Sequence, residues 1–215
     1  MATFTRRRRP PDGKPHGWYR DCLRLDFEFR CAYCLIHEAD YQGHESFQVD
    51  HYRPKSRFRD LERKYRNLYY ACLLCNKRSR KGDNWPSEDE ANRGERFVDP
   101  CSEDWEEHVE FLEDGSARPL TPAGRYSVLV LDLDRPQLRA HRGKFPGEYA
   151  NRSALRALRL RLERVVSLAT ADRSLPKQLR DEMQALEEQF RALQEAVRAA
   201  WERKSPPPPE PRCPY

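Results

Sequence analysis

Two Cys-x-x-Cys pairs, Cys31/Cys34 and Cys72/Cys75, constrain this chain more than any other feature. Thiolates at i and i+3 in a tight turn can both face one ion. Two such pairs complete a closed tetrahedral Zn2+ site, with no position left for substrate. The span between the pairs, Leu35 to Ala71, is longer than the roughly 15–20 residues of an ordinary zinc ribbon. A segment with a task of its own is therefore inserted between the two halves of the ligand set. The chain has 7 cysteines, an odd number, and the paired spacing favours a metal site over a disulfide framework. Four reduced cysteines without metal are the bland alternative. Cys22, Cys101 and Cys213 read as spare thiols.

With 215 residues, 38% hydrophobic and 35% charged, the chain can build one domain and an appendage around a limited core, which a metal staple would reinforce. No run of about 20 apolar residues exists, so no membrane span or membrane partner is expected. Arg6–Arg9 are followed by no apolar run and do not read as a secretory signal, which makes the cytoplasm the expected location. Net charge is only +5, but just 8 of the 40 basic residues are lysine. Arginine's planar fork suits phosphate recognition. A GC-rich genome would produce the same bias, and modest net charge alone does not establish a polyanion partner.

The pattern along the chain predicts an α+β fold. Residues 1–17 read as a basic disordered arm, with Pro10-Pro11 and Asp12-Gly13 as turn signals. Residues 18–100 read as the core that carries the zinc site. Within it Trp18 to Leu25 can begin a helix, and Phe47 and Val49 alternate in a short strand that ends at Asp50-His51. Arg53–Arg66 reads as a basic loop, Leu68–Ala71 as a second strand, and the chain can turn helical from Leu73 or Leu74 until Gly82. Residues 101–147 read as an irregular extension with short strands, of which Ser127–Leu133 is the best. Residues 148–204 are rich in helix formers, with Leu155, Leu158, Leu162 and Val165 at helical spacing. After a break near Ser174–Pro176, Leu179, Met183, Leu186, Phe190, Leu193, Val197 and Trp201 follow, predicting a helical hairpin. Residues 205–215 form a proline-rich tail. His37, His44, His108 and His141 lack ligand-like company and read as surface residues.

The order Cys31-x-x-Cys34, Val49-Asp50-His51-x-x-Pro54, Asn67-Leu68, Cys72-x-x-Cys75-Asn76, with Lys77 and Lys81 following, resembles the HNH endonuclease family, in particular its zinc-bearing ββα-metal branch. The Phe97–Cys101 and Leu120–Arg125 strings are similar to longer bacterial HNH proteins, some found in anti-phage defence systems such as Septu and retrons. The resemblance implies a ββα-metal core stapled by Cys31, Cys34, Cys72 and Cys75 around structural Zn2+. It makes His51 the general base, a task suited to imidazole. Asp50 and Asn76 become ligands of a catalytic Mg2+ or Mn2+; many family members have histidine in place of Asn76. Asn67 would bridge backbone groups of the following loop and hold His51 in line. Arg53, Lys55, Arg57, Lys77 and Lys81 would grip phosphates flanking the cut.

Each assignment has a plainer competitor: a structural histidine, a solvated aspartate, a capping or turn asparagine and a solvated basic face. The expected function is metal-dependent hydrolysis of DNA phosphodiesters, with anti-phage defence as its setting. The alternatives are an RNA-cleaving enzyme on the same site, or a non-catalytic zinc module that binds nucleic acid or a protein partner. The helical region is the expected place for a partner, such as a defence ATPase or a second copy of the chain, although packing within the chain is the commoner fate of such a stripe.

Overall fold

The computed structural model of the chain describes residues 3–145, 149, 154, 157–166, 177–202 and 212–215. Its centre is an antiparallel hairpin of β1 (Phe47–His51) and β2 (Leu68–Cys72), in the register Phe47↔Cys72 to His51↔Leu68. Both strands stand where the β-branched and aromatic residues predict them. Helix α1 (Arg20–Asp26) packs on the hairpin and buries Cys22 and Leu23, while Phe27, Tyr33, Phe47, Tyr69 and Tyr70 fill the space around it. A buried Arg24–Glu38 ion pair of 2.7 Å, with the Tyr70 hydroxyl donating to Glu38, closes that layer.

The arm expected to be disordered is instead packed from Thr3 onward. Phe4 is buried against Phe27, and the Arg6 guanidinium lies 4.6 Å from the Tyr65 ring centroid while donating to the carbonyls of Tyr65 and Leu68. Buried Asp26 accepts the backbone amides of Arg7 and Arg8. One carboxylate and one aromatic cage thus order a charge-rich segment that composition alone assigns to solvent.

The helix expected after Leu74 is also replaced. Asn76 N–H donates to Cys72 C=O and closes a single turn, after which Lys81 N–H reaches back to Cys75 C=O. The chain then doubles back at Gly82, whose added Cβ would meet Arg78 Cα at 2.8 Å. Cys75 must face the other sulfurs, and a tight return serves that better than a continued helix.

After α2 (Glu88–Asn92), the extension contributes α3 (Trp105–His108), β3 (Val109–Phe111), β4 (Ala117–Pro119), α4 (Pro122–Leu131) and α5 (Pro136–Lys144). Strands β3 and β4 pair antiparallel. The strand expected at Ser127–Leu133 is mostly helix α4. Its apolar run looks strand-like, but Thr121 caps Gly124 N–H, Pro122 opens the helix and Asp132 ends it in the left-handed region. Buried Ala123, Ser127 and Leu131 then share one face. The extension also touches the core directly, since buried Trp105 donates through its indole N–H to Ala32 C=O.

Helical backbone at 157–166 (α6) and α7 (Lys177–Glu202) are joined by the Arg161–Glu182 ion pair of 2.8 Å. Val165 and Leu186 are buried, Leu158, Leu162, Met183, Phe190 and Leu193 partly so. Leu155 and the break near Ser174–Pro176 lie outside the described residues. Cys22 and Cys213, expected to be spare, form a disulfide that pins the tail to α1, beside Arg212 N–H donating to Asp21. Of the histidines read as surface residues, His37 is buried and its Nδ1 accepts Ala39 N–H.

Helix α4 approaches α3 closely at Gly124, where an added Cβ would stand 1.9 Å from His108 C=O. Gly124→Ala should therefore destabilise the fold by about 2–3 kcal/mol in urea denaturation; an unchanged midpoint would contradict this packing.

Candidate metal centre and active site

The four sulfurs of Cys31, Cys34, Cys72 and Cys75 lie within 4.8 Å of one another, and all four residues are buried. Cys34 Sγ and Cys72 Sγ are 3.8 Å apart, close to the edge of about 3.8 Å that a tetrahedron with Zn–S bonds of roughly 2.3 Å requires. The first pair sits in a turn closed by Cys31 N–H to Ile36 C=O and Leu35 N–H to Cys31 C=O, with Leu35 in the left-handed region. The second pair follows directly on β2, and Cys72 N–H donates to Cys31 Sγ. Burial, followed by hydrogen bonds among the sulfurs, pushes the Cys31 thiol well above its ordinary range. Four thiols crowded at this depth suit a cation that takes their protons' place. The donor set therefore fits a structural zinc ion.

Strand β1, which ends at His51, and the loop after it hold the second cluster. Asp50 and His51 are both buried at the end of β1. The Tyr33 hydroxyl, from the turn between the first two cysteines, donates to Asp50 Oδ2. Asp50 Oδ1 makes no hydrogen bond among the described residues. His51 Nε2 is 2.9 Å from Glu62 C=O. A carbonyl can only accept, so Nε2 carries the proton and Nδ1 presents the lone pair. Burial lowers the His51 pKa below its ordinary value, which keeps the ring neutral near pH 7. Asn67 Oδ1 accepts Arg53 N–H, and its Nδ2 donates to Arg53 C=O at 3.0 Å and Leu61 C=O at 3.2 Å. Those contacts tie down the loop whose next carbonyl, that of Glu62, holds His51.

Asn76 is partly exposed; its Nδ2 donates to Gln48, two residues before Asp50 on β1, and its Oδ1 makes no hydrogen bond among the described residues. Gln48 thus ties Asn76 to the strand of Asp50 and His51, while Asn76 makes no hydrogen bond to either among the described residues. Arg53, Lys55, Arg57 and Lys77 are exposed. The Arg53 guanidinium lies 5.6 Å from the Phe58 ring and 5.8 Å from that of Trp85.

Lys81 departs from expectation. Its relative exposure is 0%, and its ammonium donates to His51 C=O at 3.1 Å while standing 3.8 Å from the Asp50 carboxylate. It is enclosed by the chain reversal at Gly82 and is not a surface phosphate contact. Tyr33 and His16, whose ring is 5.6 Å from that of His51, were also not singled out by the sequence. Their partners lie 17 and 35 positions away, and no local spacing announces them.

Residues 31–82, which hold both clusters, match the family model of the HNH endonucleases. In an alignment of 152 positions that covers 58% of this chain, the protein is 28% identical to the Septu protein PtuB of Bacillus mycoides (strain KBAB4). The alignment covers 50% of that relative, so the chain spans about half its length. No solved structure matches significantly. No helix among the described residues is long and apolar enough to cross a membrane.

A closed thiolate site that staples the hairpin should be indispensable to it. Cys72→Ser should strip most of the bound zinc and cost at least about 3 kcal/mol of stability, read by elemental analysis and denaturation. A variant that remained fully loaded and stable would contradict the assignment.

Proposed function

We propose that this protein is a metal-dependent endonuclease that hydrolyses DNA phosphodiester bonds. The observation that carries the reading is the geometry of His51, whose Nε2–H donates to Glu62 C=O and leaves Nδ1 as the base, directly beside Asp50. In this mechanism His51 Nδ1 takes the proton of the attacking water as the new P–O bond forms and the bond from phosphorus to the leaving sugar oxygen breaks, that oxygen taking its proton from solvent. Asp50 Oδ1 and Asn76 Oδ1 are the oxygen donors that would hold a catalytic cation. A bound Mg2+ or Mn2+ would supply charge neutralisation at the scissile phosphate and its leaving oxygen. Asn67 holds the loop that fixes the His51 tautomer, and Tyr33 fixes the rotamer of Asp50. Exposed Arg53, Lys55, Arg57 and Lys77 grip flanking phosphates and contribute affinity without sequence information.

The test is cleavage of plasmid DNA with Mg2+ or Mn2+, beside a matched RNA. Wild type should relax or linearise the plasmid. His51→Ala should lower the rate by about 10²–10⁴-fold with zinc content unchanged. Normal cutting by His51→Ala would refute the assignment. Binding without cleavage under every divalent metal would favour the non-catalytic module, and cleavage of RNA alone would move the substrate class.

The likeness to a Septu protein supports a setting in anti-phage defence. A protein partner, for which an ATPase is one candidate, or a second copy of the chain would dock on the helical region, where α7 carries Met183, Phe190 and Leu193 on a partly exposed stripe. Light scattering on the purified chain addresses the second copy: a dimer mass supports it, and a concentration-independent monomer removes it.

A further inference from the structure

The buried arginine of the extension has no task in the chemistry above. Arg135 is 4% exposed and stands at the N-terminal cap of α5. Its Nη1 donates to the carbonyls of Leu131 and Asp132, both at 3.0 Å, where α4 ends. Its Nη2 donates to Cys75 Sγ at 3.5 Å. Among the described residues this guanidinium makes no ion pair with a carboxylate. A buried, permanent cation needs an anion, and the two carbonyls offer only dipoles. The nearby anions are the sulfurs, because four thiolates around one Zn2+ leave a net negative charge in a buried site. Guanidinium and metal site therefore answer each other's charge.

We propose that Arg135 is an outer-sphere residue of the zinc site, donating to the Cys75 thiolate and holding the ion in place through that bond. This rests on the zinc reading of the four cysteines and is independent of the nuclease reading. The hydrogen bond draws electron density from one sulfur, which makes that thiolate a poorer nucleophile and a poorer target for electrophiles or protons. The same bond fixes the C-terminal end of α4 against the second cysteine pair. The extension thereby becomes part of the metal centre, and loss of its packing would loosen the ion that staples the hairpin.

The experiment uses the full chain. Zinc content is measured as purified, and transfer of zinc to the chelator 4-(2-pyridylazo)resorcinol is then timed for wild type, Arg135→Gln, Arg135→Lys and Arg139→Gln. The last alters an exposed arginine on the same helix, paired with Asp114. Arg135→Gln should release zinc roughly 10–100-fold faster than wild type, the usual consequence of removing an outer-sphere partner. Arg135→Lys should fall between them, and Arg139→Gln should match wild type. Equal rates for Arg135→Gln and wild type would overturn the proposal, as would wild type purified without zinc. If Arg135→Gln does not fold, the cobalt-substituted Arg135→Lys protein decides. Its thiolate-to-cobalt absorption should shift to lower energy than in wild type, and an unshifted band would overturn the proposal.

Discussion

Closure of four thiolates on one point is the constraint on which the rest of this molecule depends. It joins a turn at residues 31–34 to the end of β2, forty residues later, and so fixes one side of a two-stranded hairpin that would be marginal by itself. Asp50 and His51 lie at the far end of the partner strand. Their placement comes from the ladder pairing of β1 with β2, and from Tyr33, which reaches out of the first cysteine turn to the Asp50 carboxylate. The metal centre and the candidate active site are thus a single unit in mechanical terms, although the ion has no open position for substrate.

Around that unit the chain spends its polar residues on positioning. Asn67 secures the backbone on either side of a charged loop, and Glu62 contributes a carbonyl where its acidic side chain would be the obvious candidate. Lys81 is buried beneath His51 and Asp50, where its charge balances the carboxylate. Arg6 lies inside an aromatic cage, and Arg135 reaches the sulfur of Cys75. The arginine-rich composition therefore has a structural side, because several of these side chains serve as buried donors to carbonyls, rings and thiolates. Arg53, Lys55, Arg57 and Lys77 remain at the surface.

The legible features were those written in local spacing. The Cys quartet, the alternation of Phe47 and Val49, the apolar run at Leu68 and the helix formers of residues 177–202 each carry their own period, and they stand where that period predicts. The features that escaped are set by contacts distant in sequence. The order of the arm depends on Asp26 and Tyr65, the burial of Lys81 on the reversal at Gly82, and the pairing of Cys22 on a residue 191 positions away. At Ser127–Leu133 two local signals compete: the Thr121-Pro122 cap specifies a helix start, and it outweighs the strand propensity of two valines.

The measurement that tests this account most directly is zinc K-edge X-ray absorption on the purified chain. One zinc with four sulfur neighbours at about 2.3 Å is the expected result. Nitrogen or oxygen neighbours in place of any sulfur, or a folded chain that contains no metal, would contradict it.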